Sequence, residues 1–110
     1  LLDAGIPVAG STDAPFGDAN PWRAMQAAVE RRSRAGATLG AAEALTPEEA
    51  LGLFTGPLRA PGGAPRDLRI GAVADLCLLD RSWQDARRDL AAVRVVATFK
   101  AGVRIHAASN

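Results

Sequence analysis

One carboxylate in this 110-residue sequence stands where chemistry could be done. Asp13 follows the apolar run Ile6 to Ala9, with Gly10 behind it and Pro15 in front. A carboxylate held at the end of a buried strand can bind a divalent metal or act as a general base. A second reading is that Asp13 only caps a turn, since Asp is common in loops. The other candidates are weaker. Asp18 in the same loop reads as a cap or a solvated residue. His106, the single histidine, lies in an alternating segment near the C-terminus without a second ligand in sequence. Cys77 sits in an apolar run and reads as a small core residue. Trp22 and Trp83 read as packing anchors, and Arg31, Arg32 and Arg34 as a solvated helix face. One His and one Cys assemble no Ser-His-Asp, Cys-His or zinc-finger set, and no phosphate-binding glycine loop is present. An enzyme built on these residues would have to draw most of its active site from outside them.

The elements that position Asp13 follow from the surrounding pattern. Residues 6 to 11 form a continuous apolar run, as expected of a strand buried on both faces of a parallel sheet, with Pro7 at its start. Gly10 to Ala19 is the strand end and a loop rich in Pro, Gly and Asp. In α/β proteins such strand ends carry the chemistry, because loops vary there while the sheet stays rigid. Asn20 as N-cap and Pro21 at the first position open a helix over 21 to 35. Its apolar stripe is Trp22, Met25, Ala28 and Val29, and Gly36 stops it. Thr46-Pro-Glu-Glu49 has the form of a capping box, which predicts a second helix over 47 to 55. Ala50, Leu51, Phe54 and Leu58 would form its buried stripe, and Gly56-Pro57 would end it.

Past residue 70 the period changes from helical to alternating. Residues 74 to 79 read as a short buried strand, and 81 to 91 as a loop with a weak helical turn. Residues 93 to 100 and 103 to 106 read as two further strands. Ala101 is a poor first residue for a type I′ turn, so a bulged or longer turn is expected between the last two.

Composition bounds the function classes. The chain is 48% hydrophobic and 23% charged with a net charge of +1, an ordinary globular balance that offers no electrostatic case for nucleic acid or an anionic membrane. Twelve of its thirteen basic residues are Arg, the exception being Lys100. One cysteine excludes an internal disulfide. No run of about 18 apolar residues suggests a spanning helix, and no signal-peptide pattern opens the chain, so a cytoplasmic protein is expected. Leu1 to Gly5 reads as a helix end capped by Gly5, which makes the sequence read as a piece that has lost its beginning.

Five stretches in order resemble the C-terminal end of the metal-dependent amidohydrolases, in the branch that includes N-substituted formamide deformylase-like and D-aminoacylase-like enzymes. They are Ala4-Gly-Ile-Pro-Val-Ala-Gly-Ser-Thr-Asp-Ala-Pro15, Asn20-Pro21 with Gln26-Ala-Ala-Val-Glu-Arg31, and Leu45-Thr-Pro-Glu-Glu-Ala-Leu51 with Thr55. Gly71-Ala-Val-Ala-Asp-Leu-Cys-Leu-Leu-Asp80 and Val95-Val-Ala-Thr98 with Gly102 complete the pattern. The resemblance implies an α/β fold, the C-terminal piece of a (β/α)8 barrel followed by β-sandwich strands. Residues 1 to 65 would carry the eighth strand, the active-site loop and two outer helices. Residues 66 to 110 would be the C-terminal strands of a composite β-sandwich domain. Asp13 matches the family's aspartate after the eighth strand, which contacts the metal or its bound water and shuttles a proton to the leaving nitrogen. Asp13 is thus both the catalytic and the metal-contacting candidate, with a divalent metal, zinc, in the full-length protein and none expected in these 110 residues alone. The family often has Gly-Ser-Asp where this chain has Gly-Ser-Thr-Asp. The implied partner is a small amide-type substrate, with no nucleic acid or membrane and with homo-oligomers allowed. Two other readings stay open, a non-catalytic α+β binding or assembly module and a deaminase of the same superfamily.

Overall fold

Two side-chain caps decide where the helices of the first half begin. Asn20 Oδ1 accepts from the Trp22 N–H at 3.0 Å, and α1 runs Pro21–Glu30 from that cap. Thr46 Oγ1 accepts from the Glu49 N–H at 3.2 Å while Glu49 Oε2 accepts from the Thr46 N–H at 2.8 Å. This reciprocal pair opens α2, Pro47–Thr55, with the boundaries the capping box predicts. The computed structural model describes residues 1–33 and 35–109. Its chain divides into two units, Leu1–Arg66 and Asp67–Asn110.

In the first unit α1 packs on α2. Trp22, Met25 and Ala50 are its buried apolar residues, with Met25 only 2% exposed. Full burial of a side chain of that size is worth about 1.5–3 kcal/mol. Helix α1 ends earlier than the predicted 35. Arg31 takes a left-handed conformation, φ 53, as the C-cap, and its N–H donates to the Ala27 carbonyl at 2.8 Å. The chain then doubles back so that Arg32 bridges Thr38. Arg31 is therefore no solvated face residue. Its Nε donates to the Leu39 carbonyl at 2.8 Å and its Nη2 pairs with Glu43 at 3.2 Å. Arg34, the last member of the predicted arginine face, lies outside the described residues. Leu58, expected in the stripe of α2, lies past the helix end and is 99% exposed.

Residues 6 to 11, expected as a buried strand, form no ladder. The segment runs beside α2, where the Gly10 N–H donates to the Leu53 carbonyl at 2.8 Å and Gly10 faces the Phe54 ring. Ile6 is 48% exposed. The physical reason is the absence of partners. A parallel strand draws its hydrogen bonds from neighbouring strands on either side, and the first unit has none among the described residues. Gly5 does cap a short 3-10 turn over Leu2–Ala4 in the left-handed conformation.

The second unit is a three-stranded antiparallel sheet in the order β1-β2-β3. Its strands are β1 Leu76–Leu79, β2 Val95–Lys100 and β3 Val103–Ala107. A four-residue helix α3, Trp83–Ala86, and a 3-10 turn at Leu90–Ala92 fill the connection predicted as a loop with a weak helical turn. Ala86, Leu90, Val93 and Ala97 are the buried residues, and the last two keep the expected alternation. The core is too small to cover β1. Leu76 and Leu78 are 38% and 55% exposed, so the expected buried strand is a half-open one. Cys77 is correspondingly exposed, its Sγ 3.9 Å from Thr98 Oγ1, and is not a core residue.

The β2–β3 hairpin meets the expectation of a bulged or longer turn in part: its register shifts between Thr98 and Phe99, but its connection is short. That connection is the tight two-residue loop Ala101-Gly102, with Lys100 opposite Val103 and both loop residues at positive φ, 48 and 79. Positive φ costs Ala but not Gly. Two hydrogen bonds from outside the hairpin hold the turn there, one at Ala101 and one at Gly102. The Ala101 N–H donates to Asp75 Oδ1 at 2.8 Å, and the Gly102 N–H donates to the Ala74 carbonyl at 2.9 Å.

Candidate functional site

The loop from Ser11 to Asn20 is built by short-range bonds that hold Asp13 in one place. Asp13 is left-handed, φ 54, a conformation that Asp and Asn adopt more readily than other non-glycine residues. Its N–H donates to Ser11 Oγ at 3.1 Å. Its carbonyl accepts from the Phe16 N–H at 2.9 Å and from the Gly17 N–H at 3.0 Å. The intervening Ala14–Pro15 peptide is cis. At Gly17 any Cβ would overlap the Thr12 carbonyl oxygen, so the loop closes only with glycine there.

The far side of the loop is tied to α1. Asp18 Oδ1 accepts from the Asn20 N–H at 2.9 Å, and Asp18 Oδ2 pairs with Arg23 Nη1 at 2.7 Å. Asp18 is thus a cap with an ion pair rather than a solvated residue. Asn20 in turn caps α1 beside the buried Trp22. Two sets of bonds therefore hold the loop, one joining Ser11, Asp13, Phe16 and Gly17 and the other joining Asp18 and Asn20 to α1.

Asp13 closes its turn through the backbone alone. Among the described residues its carboxylate takes no hydrogen bond or ion pair, and it is exposed. A side-chain cap would have spent one oxygen on a backbone N–H. Here both oxygens remain available to a ligand or a proton.

The described residues do not amount to a metal centre. No group of three or more His, Cys, Asp or Glu side chains converges among them. Asp13 could offer at most one ligand, and a metal held there would need the rest from elsewhere. His106 lies on exposed β3 opposite Thr98, in the second unit. The acids lining a cleft of about 340 Å³ in the first unit are Asp3, Glu43 and Glu49. Glu43 is paired with Arg31 and Glu49 is spent in the capping box, which makes these two structural. Asp13 does not line that cleft.

Sequence reasoning missed two carboxylates that brace the sheet. Asp80, just after β1, accepts from Arg81 Nε and Nη2 at 2.9 Å each and from the Arg94 N–H at 3.2 Å. Arg81 also donates to the Ala92 carbonyl at 2.9 Å. The Arg81 hydrogen bonds and, second, that of the Arg94 N–H hold the Asp80 carboxyl down at about 2 against an ordinary 3.8. The same pairing pushes Arg81 up. Asp75, just before β1, holds the Ala101 N–H. The two acids thus clamp the two ends of β2. Their signal was an acidic residue on each flank of the apolar run Leu76 to Leu79.

No helix among the described residues is long and apolar enough to cross a membrane. Residues 1–106 match the profile of the amidohydrolase family. The chain is 37% identical over 107 residues to the N-substituted formamide deformylase of Arthrobacter pascens, an alignment covering 94% of this chain and 20% of that protein. The chain therefore spans about a fifth of the length of that relative. No solved structure matches it significantly. With nearly the whole chain inside the family profile, this protein belongs to the amidohydrolase family.

Proposed function

We propose that these residues are the C-terminal part of a metal-dependent amidohydrolase that hydrolyses non-peptide carbon–nitrogen bonds, with N-substituted formamides as its substrates. The family membership and the likeness to a formamide deformylase support the reaction class. The observation that carries the reading to a residue is Asp13, whose loop is closed by its backbone while its carboxylate is left unspent. In this reading residues 1 to 65 are the end of the barrel and 66 to 110 the sandwich strands.

A divalent metal, zinc in this reading, would take Asp13 as one ligand and its remaining ligands from outside these residues, and when bound it would supply Lewis acidity. Asp13 takes the proton of the attacking water on a carboxylate oxygen. It then gives that proton to the amide nitrogen as the C–N bond breaks, leaving a carboxylic acid and a free amine. One group serves as base and then acid. On their own, these 110 residues are expected to turn over no amide.

The test is steady-state hydrolysis of an N-substituted formamide by the full-length enzyme and its Asp13→Asn variant, with metal content measured on both. Asn keeps the shape and can hydrogen-bond but cannot carry the proton. Loss of such a group lowers the rate by about 10²–10⁴. Near-normal turnover at full metal occupancy would remove Asp13 from the mechanism.

A further inference from the structure

The turn that carries Asp13 also carries Phe16, whose side chain is 92% exposed. An aromatic ring is among the largest apolar surfaces a residue can offer, and it normally dominates a core or an interface. This one does neither within its own unit. Nor is its backbone loose. The Phe16 N–H is bonded to the Asp13 carbonyl at 2.9 Å, and the next residue, Gly17, sits against the Thr12 carbonyl with no room for a side chain. The Asp18–Arg23 pair and the Asn20 cap then fasten the loop to α1. Asp13 and Phe16 are the first and fourth residues of a hydrogen-bonded turn, which holds their Cα atoms within about 7 Å. The backbone that carries the Phe16 ring is thus held close to the backbone that carries the Asp13 carboxylate.

What that molecule presents follows from its chemistry, and here the inference rests on the proposed function. In an N-substituted formamide the carbonyl carbon bears only hydrogen. All the non-reacting bulk hangs on the nitrogen, the atom to which Asp13 returns the proton. We infer that Phe16 is a specificity-determining residue whose ring packs against an apolar or aromatic N-substituent. Its role is in binding and not in proton transfer, so it acts on the choice among formamides and leaves the bond-breaking step alone.

The experiment compares N-(2-phenylethyl)formamide with N-methylformamide on the full-length enzyme and its Phe16→Ala and Phe16→Tyr variants. Loss of a ring–ring contact is worth about 3- to 10-fold in affinity. Phe16→Ala should raise KM for the phenylethyl substrate by that factor with kcat nearly unchanged. It should leave the methyl substrate alone, and Phe16→Tyr should keep the wild-type preference. An unchanged preference in Phe16→Ala, or equal losses on both substrates, overturns the assignment. Calorimetric binding of N-(2-phenylethyl)formamide to Asp13→Asn, with and without Phe16→Ala, separates this inference from the hydrolase reading. An unchanged Kd there overturns the role of Phe16 even if Asp13 proves essential. Full turnover by Asp13→Asn overturns the proton-transfer role of Asp13, while the Kd comparison still decides Phe16.

Discussion

The left-handed backbone of Asp13 separates its structural requirement from its chemical one. Asn shares the tolerance of Asp for φ near +54. The carboxylate itself closes nothing in the loop. Asp13→Asn should therefore leave the unfolding midpoint in denaturant unchanged while removing turnover. Asp13→Val should destabilise by about 1–2 kcal/mol, because a branched side chain in this region meets the following carbonyl. If Asn also destabilised by that amount, a hidden structural role for the carboxylate would be exposed. Gly17 is a second single-residue test. A methyl there overlaps the Thr12 carbonyl oxygen, and overpacking of that kind costs about 1–3 kcal/mol. Gly17→Ala should shift Asp13 and lower kcat more than it raises KM. Wild-type kinetics in that variant would mean that the loop does not position Asp13.

At the scale of elements, two devices can be probed separately. The capping box of α2 uses both side chains, so Thr46→Ala should cost about 1 kcal/mol and Thr46→Ser much less, read by chemical denaturation. The Asp80 clamp makes a pH-dependent forecast. The folded-state value, about 2, lies below the ordinary 3.8, so the clamp stabilises the sheet fully above 3.8 and loses that contribution as the pH falls toward 2. The unfolding midpoint should drop across this window in wild type and drop less in Asp80→Asn. High salt should shrink the difference, because the pair sits near the surface, its side chains 31% and 25% exposed. An identical acid profile in Asp80→Asn would show that the clamp does not bear on stability.

For the whole molecule the telling feature is apolar surface. Val103 and Ile105 on the edge strand β3 are 66% and 63% exposed, and Leu78 on β1 is 55% exposed. An edge strand with unpaired backbone groups and apolar side chains favours association. The purified 110-residue chain should sediment as more than a monomer at high concentration. Ile105→Lys, which places a charge on the edge, should shift it toward the monomer. Monodisperse monomers of the wild-type chain at high concentration would refute this.

What the sequence by itself determined was local. The start of each main helix could be read because the capping residues bond to N–H groups two or three residues away, and α2 needed nothing more distant. The alternation of Val93, Val95 and Ala97 marked the inner face of β2 for the same reason, since the pleat repeats every two residues. Asp13 stood out as an acid after an apolar run. Tertiary structure decided whatever depends on partners distant in sequence. Residues 6 to 11 have the pattern of a strand but no strand beside them, so they lie along α2 instead. Helix α1 ends at Arg31 because its guanidinium finds Leu39 and Glu43, contacts that no helical period encodes. The Ala101-Gly102 turn is tight because Asp75, 26 residues earlier, accepts the Ala101 N–H. Backbone propensity disfavoured that turn, and a hydrogen bond across the sheet overrode it.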